Sequence, residues 1–182
     1  MSLSQLSYPV IETDTLLLRA PEANDFDAYA DFMNSDRSHM TGGPLDHPAA
    51  WRSFACETGH WVLRGYGMFT VVDKASRRIA GQTGFWNPEG WLQVELGWRA
   101  FAGFEGKGIA FNAASAARDY AYNTLGWDPL ISVIAPQNTR SIRLAERLGA
   151  TLEQDDWSTP SGKPALIYRH PSRDSLIAGG AA

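Results

Sequence analysis

Cysteine is nearly missing from this chain: Cys56 is the only one in 182 residues. No internal disulfide can form, which agrees with a reducing compartment. Cys56 falls on what reads as the core-facing side of a helix, which argues against a nucleophile. Four histidines, His39, His47, His60 and His170, show no ligand spacing with cysteine or carboxylate, so no metal site is expected. No apolar run is long enough to span a bilayer. Met1 to Pro9 lacks a basic patch followed by an apolar core, so neither a membrane nor a secretory signal is expected and the cytoplasm is the inferred location. Basic excess is missing too: 16 Lys and Arg stand against 20 Asp and Glu, a net charge of −4. That balance disfavours nucleic acid as the main partner and suits a cationic amine. There is no internal repeat.

What is present is the make-up of a globular protein, 44% hydrophobic and 20% charged, at a length that one domain with its own core accommodates. Residues 1–170 are expected to form that domain, with a disordered tail over 171–182. Thr15 to Ala20 reads as a strand. Asn24 is placed to cap a helix over Asp25 to Asn34, in which Phe26, Tyr29, Ala30 and Met33 recur at helical spacing. Ser38 to Pro44 reads as loop. Asp46 and Pro48 then open a second helix with Trp51, Phe54, Ala55, Thr58, Trp61 and Val62 on one face. Tyr66 to Asp73 and Arg78 to Trp86 make a hairpin, and Asn87-Pro88-Glu89-Gly90 turns into a further strand, Trp91 to Trp98.

The stretch from Trp91 to Leu125 is strand, glycine loop and helix. Glu105-Gly106-Lys107-Gly108-Ile109-Ala110 brings a flexible turn to a helix start, where unpaired N–H donors and the positive dipole end suit an anion, most naturally a phosphate. A P-loop needs Ser or Thr straight after Gly-Lys, whereas Gly108 follows Lys107. A dinucleotide fingerprint needs a third glycine where Phe111 stands. An alanine row, Ala110, Ala113, Ala114, Ala117 and Ala121, lets the helix lie close to a sheet. Leu130 to Ala135 reads as the next strand, parallel to the one before the loop. Pro136 to Gly149 then holds an Asn followed by a short helix ending in Leu148-Gly149, and Ala150 to Glu153 and Ala165 to Tyr168 read as closing strands.

The glycine loop resembles the diphosphate loop of the GNAT N-acetyltransferases, with Glu105 departing from the usual Gln or Arg. The Asn138 block resembles the family's second hallmark, and Leu96-Gly97-Trp98 is similar to the RimJ/RimL-like branch, whose members acetylate protein N-termini. The resemblance runs from about Thr15 to Tyr168. It implies an α/β (α+β) GNAT fold: a mixed, mostly antiparallel sheet of about six to seven strands with about four helices, two central parallel strands splayed apart. It implies acetyl-CoA as co-substrate and no metal. The cofactor-binding positions would be Leu96, Gly97, Trp98, Glu105, Gly106, Lys107, Gly108, Ile109, Ala110, Asn138 and Ser141, with Glu105 turned away so that backbone amides hold the phosphates. Arg140, Arg143 and Arg147 form a stripe that is either a solvated face or a contact to the nucleotide 3′-phosphate.

Direct transfer to an amine needs a base, for which Glu95 on the strand flanking the thioester is preferred and Glu89 a substitute. Many family members place a tyrosine seven residues after the Asn; Ala145 stands there, and Ser141 matches the serine of the RimJ/RimL-like branch. Ala150 replaces the usual aromatic after Leu-Gly. Trp86, Trp91 and Trp98 are either pocket walls or core. Three readings stand: transfer to a protein N-terminal amine, transfer to a small-molecule amine, or an acyl-CoA-binding module without catalysis, as monomer or homodimer.

Overall fold

Alternating and apolar segments build one eight-stranded sheet in a computed structural model that describes residues 8–179. Most of the opening read for a secretory signal and the last residues of the tail lie outside that range. The strands are β1 (Ile11–Glu12), β2 (Leu16–Arg19), β3 (Met68–Asp73), β4 (Arg78–Trp86), β5 (Glu95–Ala100), β6 (Ile131–Ile134), β7 (Thr151–Ser158) and β8 (Pro164–Arg169). Their spatial order is β1-β2-β3-β4-β5-β6-β8-β7. Every neighbouring pair is antiparallel except β5 and β6, which are parallel. The described helices are α1 (Phe26–Asn34), α2 (His47–Arg64), α3 (Ile109–Tyr120), α4 (Thr139–Arg147) and α5 (Arg173–Gly179). This is the mixed α/β architecture the sequence implied, with one strand more at the N-terminal edge: β1 is two residues long, too short for any periodicity to announce it.

The parallel pair determines the rest. β5 and β6 are in register only at Glu95 and Ile131, and beyond that point they part, leaving a wedge between their C-terminal halves. Helix α3 makes the crossover between them. Ala113, Ala114, Ala117 and Ala121 are buried against Leu96, Phe69, Phe85 and Val71 of the sheet, so the helix axis lies close to the strands. A widened π turn, Ala121–Leu125, and Gly126 in a left-handed conformation end it. Helices α1 and α2 enclose a second core of Phe26, Tyr29, Phe32, Met33 and Phe54 with Phe101, and a third joins Ile134 and Tyr168 to Ala145 and Ala150.

Several local readings are corrected. Ladder pairing in β5 starts at Glu95, not at Trp91, because a turn closed by Trp91 N–H on the Pro88 carbonyl precedes an unpaired stretch. Helix α2 opens as expected, with Asp46 Oδ1 accepting from Ala49 N–H at 2.8 Å. Its inward row is Ala50, Phe54, Glu57, His60 and Trp61, while Trp51, Ala55, Val62 and Cys56 are exposed. Cys56 lies two residues from Phe54, roughly 200° around the helix, and so faces solvent and not the core. Helix α1 is preceded by Asp25 and not by Asn24, and the segment Asp36–Thr41 forms a 3-10 turn where loop was expected. The tail, expected to be disordered, carries α5; Arg173 N–H binds Asp128 Oδ2 at 3.0 Å and Tyr122 Oη binds the Pro171 carbonyl at 3.0 Å.

Candidate active site

A cavity of about 520 Å³ opens where the wedge meets the loops. Its floor is β5 from Glu95 to Arg99, and its far wall is β6 from Ser132 to Ile134 with Asn138 and Ser141 of the following segment. The turn at His39–Gly42, the turn at Pro88 and Glu89, and the β7–β8 loop around Pro160 form its rim. Trp86, Trp91 and Trp98 all reach it, and Trp98 also packs against the core.

Glu95 sits at the closed end of the wedge, on the one residue pair that joins β5 to β6. Trp91 Nε1–H donates to its Oε2 at 3.0 Å. Burial pushes the Glu95 carboxyl up to about 7, against the Trp91 bond, the Val133 N–H and the charge of Arg99, all of which favour the ionised form. A carboxylate held near neutrality and facing a cavity has the proton affinity a general base needs. Glu89 also reaches the cavity rim, but its side chain is fully solvent-exposed and lies 3.6 Å from Arg64.

Main-chain direction along β5 alternates across the wedge. The Val94 carbonyl accepts from Ile131 N–H, and the Leu96 carbonyl accepts from Ser132 Oγ at 2.6 Å. Gly97 faces the other way, its carbonyl taking Thr83 Oγ1 at 3.0 Å. Of the three residues Leu96, Gly97 and Trp98, the first and third therefore turn main-chain groups toward the gap. The Leu96 side chain is wholly buried in the core under α3. Ser132 Oγ is also 2.9 Å from His170 Nε2. Since Ser132 donates to Leu96, His170 donates from Nε2, and burial followed by the charge of Arg118 holds that imidazole down to about 3.

Asn138 caps α4, its Oδ1 accepting from Ser141 N–H at 3.2 Å. Ser141 Oγ accepts from Trp98 Nε1–H at 3.3 Å. An indole N–H only donates, so the Ser141 hydroxyl proton stays available to the cavity.

The glycine loop leads into α3 on the neighbouring side. Gly106 and Gly108 have φ of 69° and 78°, and a Cβ at either would meet no atom within 4 Å. No side chain caps the helix that begins at Ile109. A glycine turn with open space around it, leading into a helix start that no side chain caps, suits a diphosphate. Glu105 is held aside by Arg37 at 2.8 Å, and its own backbone N–H followed by that guanidinium keeps its carboxyl below the usual range. Lys107 lies over the Phe104 ring and Arg147 over the Phe111 ring, 4.7 Å from its centre, so one residue of the basic stripe lies beside the start of α3. Ala150 is buried with Ile134 and Tyr168 and is not part of the cavity wall.

With this geometry, the comparison with known proteins is direct. A family profile described as the acetyltransferase (GNAT) domain matches residues 15–151. The chain belongs to the GNAT acetyltransferase family. An acetyltransferase structure from Agrobacterium tumefaciens is 36% identical with a TM-score of 0.82, covering 94% of this chain and 99% of that one. YkkB of Bacillus subtilis is 30% identical over 128 residues, 64% of this chain and 72% of that protein. A ribosomal L7/L12 α-N-protein acetyltransferase, RimL, shares the fold at 15% identity, with a TM-score of 0.73 over 95% of this chain and 98% of its own. The GNAT assignment makes the chain an acetyl-transferring enzyme whose family uses acetyl-CoA. Among the described residues no helix is long and apolar enough to cross a membrane, and no group of three or more His, Cys, Asp or Glu is placed to hold a metal ion.

Sequence reasoning did not reach the buried trio of Tyr29, Glu57 and Arg99. Glu57 Oε1 accepts from Tyr29 Oη at 2.9 Å and from Arg99 Nη2 at 3.0 Å. Burial and the Glu57 charge push the Tyr29 hydroxyl up to about 12. The legible signal was a lone carboxylate on the inward row of α2, four residues before Trp61 and three after Phe54.

Proposed function

We propose that this GNAT enzyme transfers an acetyl group from acetyl-CoA to a primary amine by direct attack, with a protein N-terminal α-amine as the acceptor. The observation that carries the reading is Glu95: a carboxyl near pKa 7 on the cavity floor, at the apex of the wedge. An α-amine has an ordinary pKa of about 7.7–8.0, whereas lysine lies near about 10.4, so a base poised near 7 suits the former far better. The main-chain likeness to RimL, an α-N-protein acetyltransferase, and the resemblance of Leu96-Gly97-Trp98 to the RimJ/RimL-like branch favour the same acceptor.

In the proposed step the neutral amine nitrogen bonds to the acetyl carbon and the carbon–sulfur bond breaks. The amine proton goes to Glu95, and the departing thiolate is stabilised by the hydrogen bond of Ser141 and takes its proton from solvent. Backbone amides at Gly106 to Ala110 hold the diphosphate, the wedge edge of Leu96 and Trp98 receives the pantetheine arm, and Gly97 and Asn138 support that arm's seat.

Thiol release from acetyl-CoA, measured against peptides with free N-termini, N-blocked peptides containing lysine, and small amines, tests the acceptor. Release driven by free N-termini is the expected result; release with lysine or small amines alone would reject the N-terminal reading. In the pH profile of kcat/KM, Glu95→Gln is expected to abolish the acidic limb near pH 7 and leave the limb set by the amine itself. An unaltered profile would remove Glu95 as base.

A further inference from the structure

Glu57 carries a carboxylate oxygen with nothing to bind. The residue is 6% exposed, yet its side chain lines the same cavity as Glu95. Oε1 is fixed by two donors, Tyr29 and Arg99, so the carboxylate has no freedom to turn. Oε2 is buried and has no hydrogen-bond partner among the described residues. An ionised oxygen in that position is costly to keep dry, and an apolar side chain there would fold at lower cost. Arg99 does not serve Oε2, since its Nη2 contact goes to Oε1 and its Nη1 approaches Met33 Sδ.

The position relative to Glu95 gives the oxygen its meaning. Glu95, Gly97 and Arg99 alternate onto one face of β5, and their outer Cα atoms lie about 13 Å apart. Gly97 between them has no side chain, and a Cβ there would lie 3.7 Å from Met68 Sδ and Cε and from Glu95 Oε1, so the Met68 thioether covers the floor between the base and the Arg99–Glu57 pair. An acceptor whose amine meets Glu95 and whose next groups lie along β5, over Met68, is directed toward Glu57. A carboxylate oxygen only accepts, so what meets it there must be an N–H or O–H.

We propose that Glu57 is the specificity-determining residue for the acceptor: Oε2 takes a hydrogen bond from a second donor carried by the acceptor beside its reacting amine. Acceptors with a hydroxyl or amide N–H at that place are favoured over those with an apolar or anionic group. This rests on the reading of the cavity as the acceptor site. Glu57→Gln is the informative substitution, because the amide oxygen retains the Tyr29 and Arg99 bonds while the NH₂ replaces Oε2 and cannot accept.

The test compares three peptides: one beginning with serine, its alanine analogue, and the serine peptide N-methylated at the second residue's amide. In the wild-type enzyme, removing one of the two donors should lower kcat/KM by at least about tenfold; in Glu57→Gln that ratio should collapse toward unity. The ratio does not depend on the folded fraction, so partial misfolding of the variant does not blur it. If the peptides react but the ratio in Glu57→Gln stays within about twofold of wild type, Glu57 does not read the acceptor and the transfer reading survives. Thiol release with no amine of any kind overturns both.

Discussion

Ser141 is the residue at which a single hydrogen-bond direction determines chemistry. Because Trp98 Nε1–H donates to its oxygen at 3.3 Å, the hydroxyl proton is free to point at a developing thiolate. Ser141→Ala is therefore expected to lower kcat by about 10²-fold while the KM for acetyl-CoA changes little, since the helix cap depends on Asn138 Oδ1 and the Ser141 backbone N–H, which alanine keeps. Steady-state kinetics at saturating amine checks this, and an unchanged kcat would leave Ser141 only its contact with Trp98. The absence of tyrosine at Ala145 fits the same picture: that side chain is wholly buried against Ile134 and Tyr168, so the position contributes packing and has no route to the cavity.

At the scale of elements, the helix α3 joins fold to substrate. Its alanines set its distance from the sheet, and its uncapped start faces open space at Gly108. Gly108→Ala puts a Cβ where φ is 78°, at a cost of about 1–2 kcal/mol, in the turn proposed to hold the phosphates, so the loop must shift or carry that strain. The expected outcome is a modest fall in the unfolding midpoint with a rise of at least about tenfold in the KM for acetyl-CoA and an unchanged kcat. Equal losses in stability and affinity would mean that the loop is only a turn. These elements were legible because glycine loops, alanine rows and the Asn-capped helix each impose local chemistry that sequence displays. Strand β5 was legible as a strand but not in its start, because Trp91 and Val94 continue the apolar alternation while the turn at Pro88 denies them a ladder. The phase of α2 was misread for a related reason: Trp51 and Val62 are apolar but exposed, and the inward row is interrupted by Glu57 and His60, whose partners are Tyr29 of α1 and Arg99 of β5, and the main chain of Tyr66 and Asn87. Polar side chains whose partners lie on other elements carry no local signature. The wedge itself was expected only through family resemblance, as no periodicity reports that two strands share a single registered pair.

Across the whole molecule, two titrating groups near the wedge pull stability in opposite directions with pH. Glu95 is raised from 4.5 to about 7 in the folded chain, so the folded state holds a proton there that the unfolded chain has lost; stability falls as pH rises from 4.5 to about 7. His170 is lowered from 6.5 to about 3, so between those values the unfolded chain binds the extra proton and stability rises with pH. From about pH 4.5 to 6.5 the two slopes oppose each other, each near about 1.4 kcal/mol per pH unit at its limit. Replacing Glu95 by Gln removes the falling slope and leaves that of His170. Relative to wild type, Glu95→Gln should gain stability by roughly 1 kcal/mol per pH unit across this window, levelling off above about pH 7.5. Urea unfolding of both proteins at about pH 5, 6.5 and 8 measures the difference directly. A constant difference at all three would mean that Glu95 titrates as an ordinary carboxyl, and with it would go the proton affinity on which the acyl-transfer mechanism depends.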